Sequence, residues 1–227
     1  KKPKILLKIF ENLTIFDLIS KNFEKFSEVF LVAGYKYNNF KRLNIHKICN
    51  LVRNKNYNNS NMVESIFLVK NKINSDVIIS YGDIIFDEKI LSYLLEKKNT
   101  CLPLNSEWLK NWKRRMNISQ IKKDAENLVT RGNKVISIGG KIENKFPKLQ
   151  FMGLMRLKKK DYFKLYKFYK KINNKKIDFT TFLDLSIKNK VLDINFFKTK
   201  KKWAEIDSKR DYQVAKSIFK NELLRNN

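Results

Sequence analysis

Apolar and polar positions in the first half of the chain follow two alternating patterns. Short runs rich in β-branched residues stop at glycine or other turn residues, and they predict strands at residues 29–33, 48–52 and 77–81. Between these runs, apolar residues recur at helical spacing, which predicts helices at residues 14–26, 62–69 and 90–95. Thr14 and Asp17 have the spacing of a capping pair for the first helix.

The second half of the chain has less regular patterns. Its apolar runs predict strands at residues 135–138, 151–157, 194–197 and 203–207. Its helical patterns lie at residues 159–171, 179–187 and 212–224. Because strands alternate with helices, we predict an α/β fold with a Rossmann-like, mostly parallel mixed sheet flanked by helices. With 227 residues, 43% of them hydrophobic, the chain is expected to form a single domain over residues 1–227.

The chain is strongly basic. Its 49 Lys and Arg residues outnumber its 22 Asp and Glu residues, which gives a formal net charge of +27. Such a charge favours a polyanionic partner, which could be a nucleotide, a nucleic acid or an anionic membrane surface. Lys, Asn and Ile are abundant along the whole chain, however, and this favours a general compositional bias over one localised binding face. We therefore expect no nucleic-acid partner.

Cysteine and histidine are too few for a zinc site or a disulfide framework. Cys49 and Cys101 are not part of a C-x-x-C pair, and His46 is the single histidine. This cysteine usage predicts a reducing, cytoplasmic location. No apolar run has the roughly 20 residues of a transmembrane helix, so no membrane span is expected. The sequence leaves the oligomeric state open, a homodimer included.

Two aspartates stand where an α/β sheet places ligand-binding residues. Asp83 follows the predicted strand at 77–81, and Asp207 ends the segment 203–207, in which Glu205 would share its face. Carboxylates at two strand ends can together hold one Mg²⁺, which prefers carboxylate, phosphate and water oxygens. The alternative is that each aspartate only caps the helix that follows it.

Two further segments carry candidate binding residues. Lys4 could neutralise a triphosphate if it lies near the same crevice. Trp108 and Trp112 have i, i+4 spacing among cations that include Arg115, so they could stack on a base or face a quaternary amine. The same pattern also fits core tryptophans beneath a basic surface, or a nucleic-acid patch.

In chain order, these segments resemble the nucleotidyltransferase superfamily. The closest branch is the CTP-using enzymes that act on phosphocholine, phosphonates or phosphoramidates. The similar segments span nearly the whole chain, in the family's order, at residues 3–7, 31–35, 56–62, 79–84 and 203–207. Residues 108–115, 124–126 and 150–154 are similar to the phosphonate and phosphoramidate-type branch. The resemblance implies the fold of the nucleotide-diphospho-sugar transferases.

The resemblance also implies a role for particular residues. Asp83 and Asp207 would be the metal ligands, and Lys4 would contact phosphate and act with them in catalysis. The nucleotide would be bound by Lys4, Gly34, Tyr35, Asn59, Ser60, Asn61 and Asp83. The acceptor would be bound by Trp108, Trp112, Arg115, Asp124, Glu126 and Glu205.

The implied reaction is Mg²⁺-dependent transfer of CMP from CTP to a small phosphorylated or phosphonylated acceptor, with release of pyrophosphate. Trp108 and Trp112 could cage a choline, whereas Asp124 or Glu126 could meet a free amine. We rank an aminoalkylphosphonate or phosphoglutamine first, phosphocholine second and a sugar 1-phosphate third. The alternatives from other classes are a basic nucleic-acid-binding module and a domain that keeps the fold without activity.

The family also places a strand and a glycine-rich loop, roughly L-A-A-G-x-G-x-R, immediately before the segment that resembles residues 3–7. Backbone N–H groups of such a loop hold a triphosphate. The printed sequence starts at this segment. The resemblance therefore implies a strand and a loop that residues 1–227 do not contain.

Overall fold

The structure, a computed structural model, describes residues 2–10, 13–142 and 145–223. The strands are, in chain order, β1 (Lys8–Phe10), β2 (Leu13–Thr14), β3 (Phe30–Ala33), β4 (Asn50–Arg53), β5 (Val77–Ser80), β6 (Ile84–Phe86), β7 (Cys101–Asn105), β8 (Glu126–Arg131), β9 (Lys134–Lys141), β10 (Gln150–Phe151), β11 (Leu154–Leu157), β12 (Asn195–Thr199) and β13 (Trp203–Glu205). The α-helices are α1 (Ile15–Ser20), α2 (Tyr37–Arg42), α3 (Met62–Phe67), α4 (Glu88–Leu95), α5 (Trp108–Trp112), α6 (Ile118–Asp124), α7 (Lys159–Ile172), α8 (Phe179–Lys188) and α9 (Lys209–Leu223).

A central mixed sheet has the strand order β5-β11-β7-β12-β9-β8, and β10 also pairs with β7. The α/β class and the mixed sheet flanked by helices are thus confirmed. The parallel share of the sheet is smaller than the strand–helix alternation predicts: β7 and β12 run parallel, whereas β11 is antiparallel to both of its neighbours. The reason is that β8 and β9 form a hairpin and β11 returns between β5 and β7.

Alternate residues of the central strands face two different helical layers. On β7, Leu102 and Leu104 pack in the cluster formed with α3, α7 and α8, whereas Cys101 packs on the opposite side with α4, α5 and α6. On β11, Met155 belongs to the first cluster and Leu154 to the second. The period of two along each strand therefore places one apolar core on each face of the sheet.

Several predicted elements are present with altered bounds. The helix predicted at 14–26 is interrupted: α1 begins with the predicted capping box of Thr14 and Asp17, and a separate 3-10 helix follows at Phe23–Lys25. The strand predicted at 151–157 divides into β10 and β11 at Gly153. Gly153 has a φ of +74°, and a Cβ there would lie 2.9 Å from the Tyr81 ring. Of the helix predicted at 212–224, residue 224 lies outside the described residues.

The fully buried strand β7 is not among the predicted strands. Pro103 stands in its middle, and proline is ordinarily confined to sheet edges because it lacks a backbone N–H group. All five residues of β7 are nevertheless buried, with β12 on one side and β10 and β11 on the other. Long-range pairing, which the local pattern does not show, thus places this segment at the centre.

An apolar groove of about 500 Å³ lies between β3 and β5. Within the part of the chain that the structure describes, β3 pairs with β4 alone and β5 with β11 alone, so one edge of each has no strand beside it. Residues of both strands line the groove, and Ile5 also contributes to its wall. The runs predicted as buried strands at 29–33 and 77–81 are therefore largely only half-buried.

Across residues 2–10, 13–142 and 145–223, no helix combines the length and apolar character that crossing a bilayer requires.

Asp76 connects the start of β5 to the end of β11. Its carboxylate accepts hydrogen bonds from Arg156 Nη2 at 2.8 Å, from Lys158 Nζ at 2.8 Å and from the Lys159 backbone N–H at 2.9 Å. Burial raises the pKa of Asp76, but these hydrogen bonds and the two positive charges outweigh it and lower the pKa below its ordinary value of 3.8.

We expect Asp76→Asn to lower the free energy of unfolding at pH 7 by about 1–3 kcal/mol, because it weakens these charge-assisted hydrogen bonds. Since the folded-state pKa is depressed, the contribution is present above the unfolded pKa and is lost as the pH falls through the folded pKa. Urea unfolding at pH 7 and at successive values below about 4 measures the loss. If the free energies of unfolding of variant and parent differ by the same amount at every pH, the result would contradict the lowered pKa of Asp76.

Asp193→Asn is the matched control. The Asp193 carboxylate also pairs with a lysine, Lys134 at 3.2 Å, but its side chain is 83% exposed, so water and salt screen the pair. Asp193→Asn should therefore change the free energy of unfolding of the protein only slightly.

Candidate active site

Lys4 connects the two aspartates that are predicted to bind a metal ion. The Lys4 ammonium lies 3.1 Å from Asp83 Oδ2 and also contacts Asp207 Oδ1. Burial lowers the pKa of Lys4, but the hydrogen bonds and charges of Asp207 and Asp83 outweigh it and raise the pKa to about 12. The two carboxylates thus share a position that attracts a cation.

Backbone pairing brings the two aspartates together. Asp83 immediately precedes β6 and Asp207 follows β13 by two residues, and these two strands are antiparallel with Ile84 opposite Glu205. The Ile206 backbone N–H donates to the Asp83 carbonyl at 2.9 Å, which extends the pairing to the aspartates themselves. Two segments that are far apart in sequence therefore present their carboxylates at one end of a strand pair, as the sequence predicts for Asp83 and Asp207.

The Asp83–Asp207 pair fits a magnesium ion that is bound together with a substrate. Among the described residues, no group of three or more His, Cys, Asp or Glu side chains forms a metal cage. Mg²⁺ does not need such a cage, because it is commonly held by one or two carboxylates, with phosphate oxygens and water completing its shell. The Lys4 ammonium, which contacts one oxygen of each carboxylate, stands in for the positive charge of such an ion.

A buried arginine lies beneath the carboxylates. The Arg115 side chain is only 4% exposed, and its guanidinium stacks over the Trp112 ring with its carbon 4.3 Å from the ring centroid. Arg115 Nη2 lies 3.5 Å from Glu205 Oε2, and Arg115 Nη1 lies 3.3 Å from Asp211 Oδ1. Arg115 was predicted to bind the acceptor, but its contacts and burial make it a support for the carboxylates instead.

The region around Asp207 is rich in carboxyl groups. Burial raises the pKa of Glu205, and the charges of Asp207, Asp83 and Asp124 add to it, so that the pKa is about 8 despite Arg115. Burial also raises the pKa of Asp124, whose carboxylate lies 3.8 Å from Arg115 Nη2. In a chain with a net charge of +27, this cluster of carboxyl groups is a local departure from the basic composition.

Glu126 extends the acidic region along β8. Its carboxylate accepts a hydrogen bond of 2.6 Å from Thr180 Oγ1, and its pKa is raised by burial and by the charges of Asp178 and Asp124. Burial, then Glu126, Glu205, Asp178 and Asp83 together hold the pKa of Tyr81 far above its usual range. Glu126 and Asp83 thus both lie near enough to Tyr81 to raise its pKa.

The two tryptophans predicted as a stacking surface belong to the core. Trp108 is 1% exposed and Trp112 5%. The Trp108 indole N–H donates to the Pro147 carbonyl at 3.1 Å, while the Trp112 ring stacks on Trp203 with 6.4 Å between centroids. Of the interpretations that the sequence leaves open, the core assignment is therefore confirmed, and a cage of Trp108 and Trp112 around the acceptor is wrong.

The predicted nucleotide-side residues form a second group, which follows β3 and precedes α3. A Cβ on Gly34 would lie 2.2 Å from the Tyr57 Cβ, so only glycine allows this close approach. Ser60 Oγ donates to the Asn56 carbonyl at 2.9 Å. Asn61 caps α3, since its side chain accepts from the Met62 backbone N–H at 2.8 Å.

Tyr35 and Asn59 are exposed next to this group. Within the described part of the chain, no hydrogen bond or ion pair joins any of these residues to Lys4, Asp83 or Asp207. The structure thus assembles the metal-side residues directly and leaves the nucleotide-side residues as a separate loop.

Sequence reasoning missed three residues that support the site. Buried Asn54 donates to Ser60 Oγ and Ser65 Oγ, each at 3.1 Å, and so fixes the nucleotide-side loop. Thr180 positions Glu126, and Asp211 contacts both Arg115 and the backbone of Asp207. Of the three, only Asp211 is indicated by the local sequence, because Ser208 and Asp211 have the spacing of a capping box.

Solved structures that superpose on this chain include nucleotidyltransferases. The inositol-1-phosphate CTP transferase from T. maritima superposes with a TM-score of 0.72 at 19% sequence identity, covering 96% of this chain and 88% of that chain. The CTP:phosphocholine cytidylyltransferase LicC from Streptococcus pneumoniae superposes with a TM-score of 0.69 at 18% identity, covering 96% and 90%. A UDP-glucose pyrophosphorylase complexed with UDP-glucose gives a TM-score of 0.64 at 14% identity, covering 96% and 91%.

No protein-family model matches the chain, and no curated protein matches it. At these identities the structural similarity establishes the fold, which is the nucleotidyltransferase fold that the resemblance predicted.

We expect Lys4→Met to bind Mn²⁺ about 3- to 10-fold more tightly than the parent in the absence of nucleotide. Removing the ammonium leaves Asp83 and Asp207 without a compensating cation, although solvent screening limits the effect. The electron paramagnetic resonance signal of free Mn²⁺ during a titration measures the affinity. Lys2→Met, which removes an exposed lysine two residues away, is the control. Equal affinities in parent and Lys4→Met would show that Lys4 and the metal do not share a position.

Proposed function

We propose that this protein is a cytidylyltransferase, which transfers CMP from CTP to a small acceptor with a phosphate or phosphonate group and releases pyrophosphate. The observation that carries the proposal is the pairing of Asp83 and Asp207 around one cation position, with Lys4 between them. The shared fold with CTP-using transferases supports the choice of reaction. Phosphoryl chemistry of this kind needs positioning and charge neutralisation more than covalent catalysis.

In the proposed reaction, an oxygen of the acceptor's phosphate or phosphonate attacks the α-phosphorus of CTP in line. The bond between the α-phosphorus and the bridging oxygen of the β-phosphate breaks, and the electron pair leaves with pyrophosphate. Lys4 contacts the phosphates and offsets part of their charge. Asp83 and Asp207 would hold Mg²⁺, which supplies further neutralisation of the reacting oxygens. No side chain forms a covalent intermediate.

The acceptor that suits the acidic surface carries a positive charge beside its phosphate or phosphonate. Asp124, Glu126 and Glu205 lie around the metal-side residues, and burial is the largest cause of the raised pKa of each, to which the charges of neighbouring carboxylates add. An ammonium group of the acceptor would favour the charged forms of these groups. Because Trp108 and Trp112 are buried, the specific argument for a choline cage no longer applies. We therefore propose an aminoalkylphosphonate or phosphoglutamine ahead of phosphocholine.

The groove between β3 and β5 suits an extended apolar strand, such as the resemblance places before the segment at 3–7. Such a strand would pair with both unpaired edges and cover apolar surface. Ile5 in the groove wall supports the connection, since it is one residue from Lys4. The glycine-rich loop after the strand would then reach the Lys4–Asp83 end, where its N–H groups would hold the triphosphate.

A sugar 1-phosphate is the second candidate acceptor, because the UDP-glucose pyrophosphorylase has the same fold. The acidic surface favours it less, since a sugar carries no positive charge. A nucleic-acid-binding module would leave the pairing of Asp83 and Asp207 around Lys4 unexplained, so this pairing favours the transferase.

Pyrophosphate release tests the proposed reaction. The protein is incubated with each NTP in turn, with and without Mg²⁺, over a panel of aminoethylphosphonate, phosphoglutamine, phosphocholine, inositol 1-phosphate and glucose 1-phosphate. We expect release only with CTP, Mg²⁺ and one acceptor of the panel. Asp83→Asn should lower turnover by at least about 100-fold, because it removes one of the two carboxylates that would hold Mg²⁺ at the reacting phosphates.

Asp87→Asn is the control for this substitution. Asp87 lies in the same segment but caps α4, where its side chain accepts from the Lys89 backbone N–H at 2.9 Å. It should keep near-parental turnover. Near-parental turnover in Asp83→Asn would exclude the assigned role, and no release with any pair of substrates would contradict the proposed reaction.

Glu126→Gln tests the charge of the acceptor. If Glu126 faces the acceptor's ammonium, the amide should raise the KM for an amine-bearing acceptor by about 5- to 50-fold and leave the KM for CTP unchanged. Steady-state kinetics with each substrate varied in turn measures the two values. The control is Asp184→Asn, whose carboxylate accepts from Ser137 and Ile138 on β9 and pairs with Lys188. An equal rise in both KM values would place Glu126 away from the acceptor.

A further inference from the structure

A second carboxylate holds the backbone that carries Asp207. Asp211 Oδ2 accepts hydrogen bonds from the Asp207 backbone N–H at 3.0 Å and from the Ser208 backbone N–H at 2.8 Å. In return, the Asp211 backbone N–H donates to Ser208 Oγ at 3.2 Å. The turn between β13 and α9 is thus closed around one side chain, and that side chain is only 5% exposed.

The same carboxylate rests on the buried arginine. Asp211 Oδ1 lies 3.3 Å from Arg115 Nη1, while Nη1 of the same guanidinium donates to the Glu205 carbonyl at 3.4 Å. Arg115 therefore contacts the backbone before Asp207 directly and the backbone at Asp207 through Asp211. Because both side chains are nearly fully buried, water cannot replace these contacts, and their geometry is well defined.

We propose that Asp211, held by Arg115, is a positioning residue for Asp207, and this proposal rests on the function proposed above. Asp211 touches neither Lys4 nor Asp83 in its contacts with the turn. It acts by fixing the Asp207 and Ser208 amides, which sets the place of the Asp207 carboxylate beside Asp83. Hydrogen-bonded partners of metal ligands have this effect generally, and their loss costs about 10- to 100-fold in metal affinity or activity.

The alternative is that Asp211 only caps α9, since the pattern with Ser208 is that of a capping box. The chain contains a matched motif for comparison. At the start of α1, Asp17 Oδ2 accepts from the Thr14 backbone N–H at 2.7 Å, and the Asp17 backbone N–H donates to Thr14 Oγ1 at 3.1 Å. Among the described residues, the side chain of Asp17 is hydrogen-bonded to Thr14 and to none of the proposed site residues, so Asp17→Ala removes a capping carboxylate alone.

The experiment compares Asp211→Ala, Asp211→Asn and Asp17→Ala with the parent in the full-length gene product. The affinity for Mn²⁺ in the presence of CTP is measured from the electron paramagnetic resonance signal of free Mn²⁺. The values of kcat and KM are measured from pyrophosphate release with the acceptor of the panel that supports turnover. We expect Asp211→Ala to weaken Mn²⁺ binding and lower kcat by about 10- to 100-fold, with little change in KM for the acceptor. Asp211→Asn keeps an accepting oxygen but not the charge that faces Arg115, so its losses should be smaller.

Each outcome decides between the two roles. Thermal unfolding first establishes that the variants are folded, and Asp211→Asn replaces Asp211→Ala if the latter is not. Parental Mn²⁺ affinity and kcat in a folded Asp211 variant, or equal losses in Asp17→Ala, would overturn the positioning role while the proposed reaction stands. A parent that neither binds Mn²⁺ with CTP nor releases pyrophosphate would overturn the proposed function, and the positioning role with it.

Discussion

The central constraint of this structure is the approach of two carboxylates, Asp83 and Asp207, at the end of one strand pair. The antiparallel pairing of β6 with β13 and the hydrogen bond from the Ile206 N–H to the Asp83 carbonyl leave these side chains little freedom to separate. Two like charges this close require a cation between them, and the Lys4 ammonium supplies it. The segment before β1 is thereby held at the site.

Support for this arrangement comes from the interior. Arg115 is buried on the Trp112 ring and places its positive charge against Glu205 and Asp211, so part of the negative charge is balanced from beneath the site. A buried arginine with one partner removed would be costly, which explains why several carboxylates share it. The result is a basic protein in which carboxyl groups are concentrated around the candidate active site.

The sheet and the groove give the site its second boundary. β5 ends shortly before Asp83, and β3 ends at the glycine turn that packs on Tyr57, while the groove lies between these two strands. Catalysis in such a fold depends on residues delivered by several separate strand ends, so the relative placement of these strands matters more than any single side chain.

Local periodicity in the sequence predicts most elements, and the family resemblance groups Lys4, Asp83 and Asp207, which the fold brings into contact. Helix and strand patterns depend on local periodicity, and the short motifs stand in a recognisable order. The sequence does not predict β7, because Pro103 locally disfavours a strand. Only the long-range pairing of this segment with its neighbours overrides that local preference. Nor does the sequence determine whether Trp108, Trp112 and Arg115 face solvent or the core. That choice belongs to the tertiary structure, because burial depends on which distant elements cover a side chain, and the spacing of residues along one helix carries no such information.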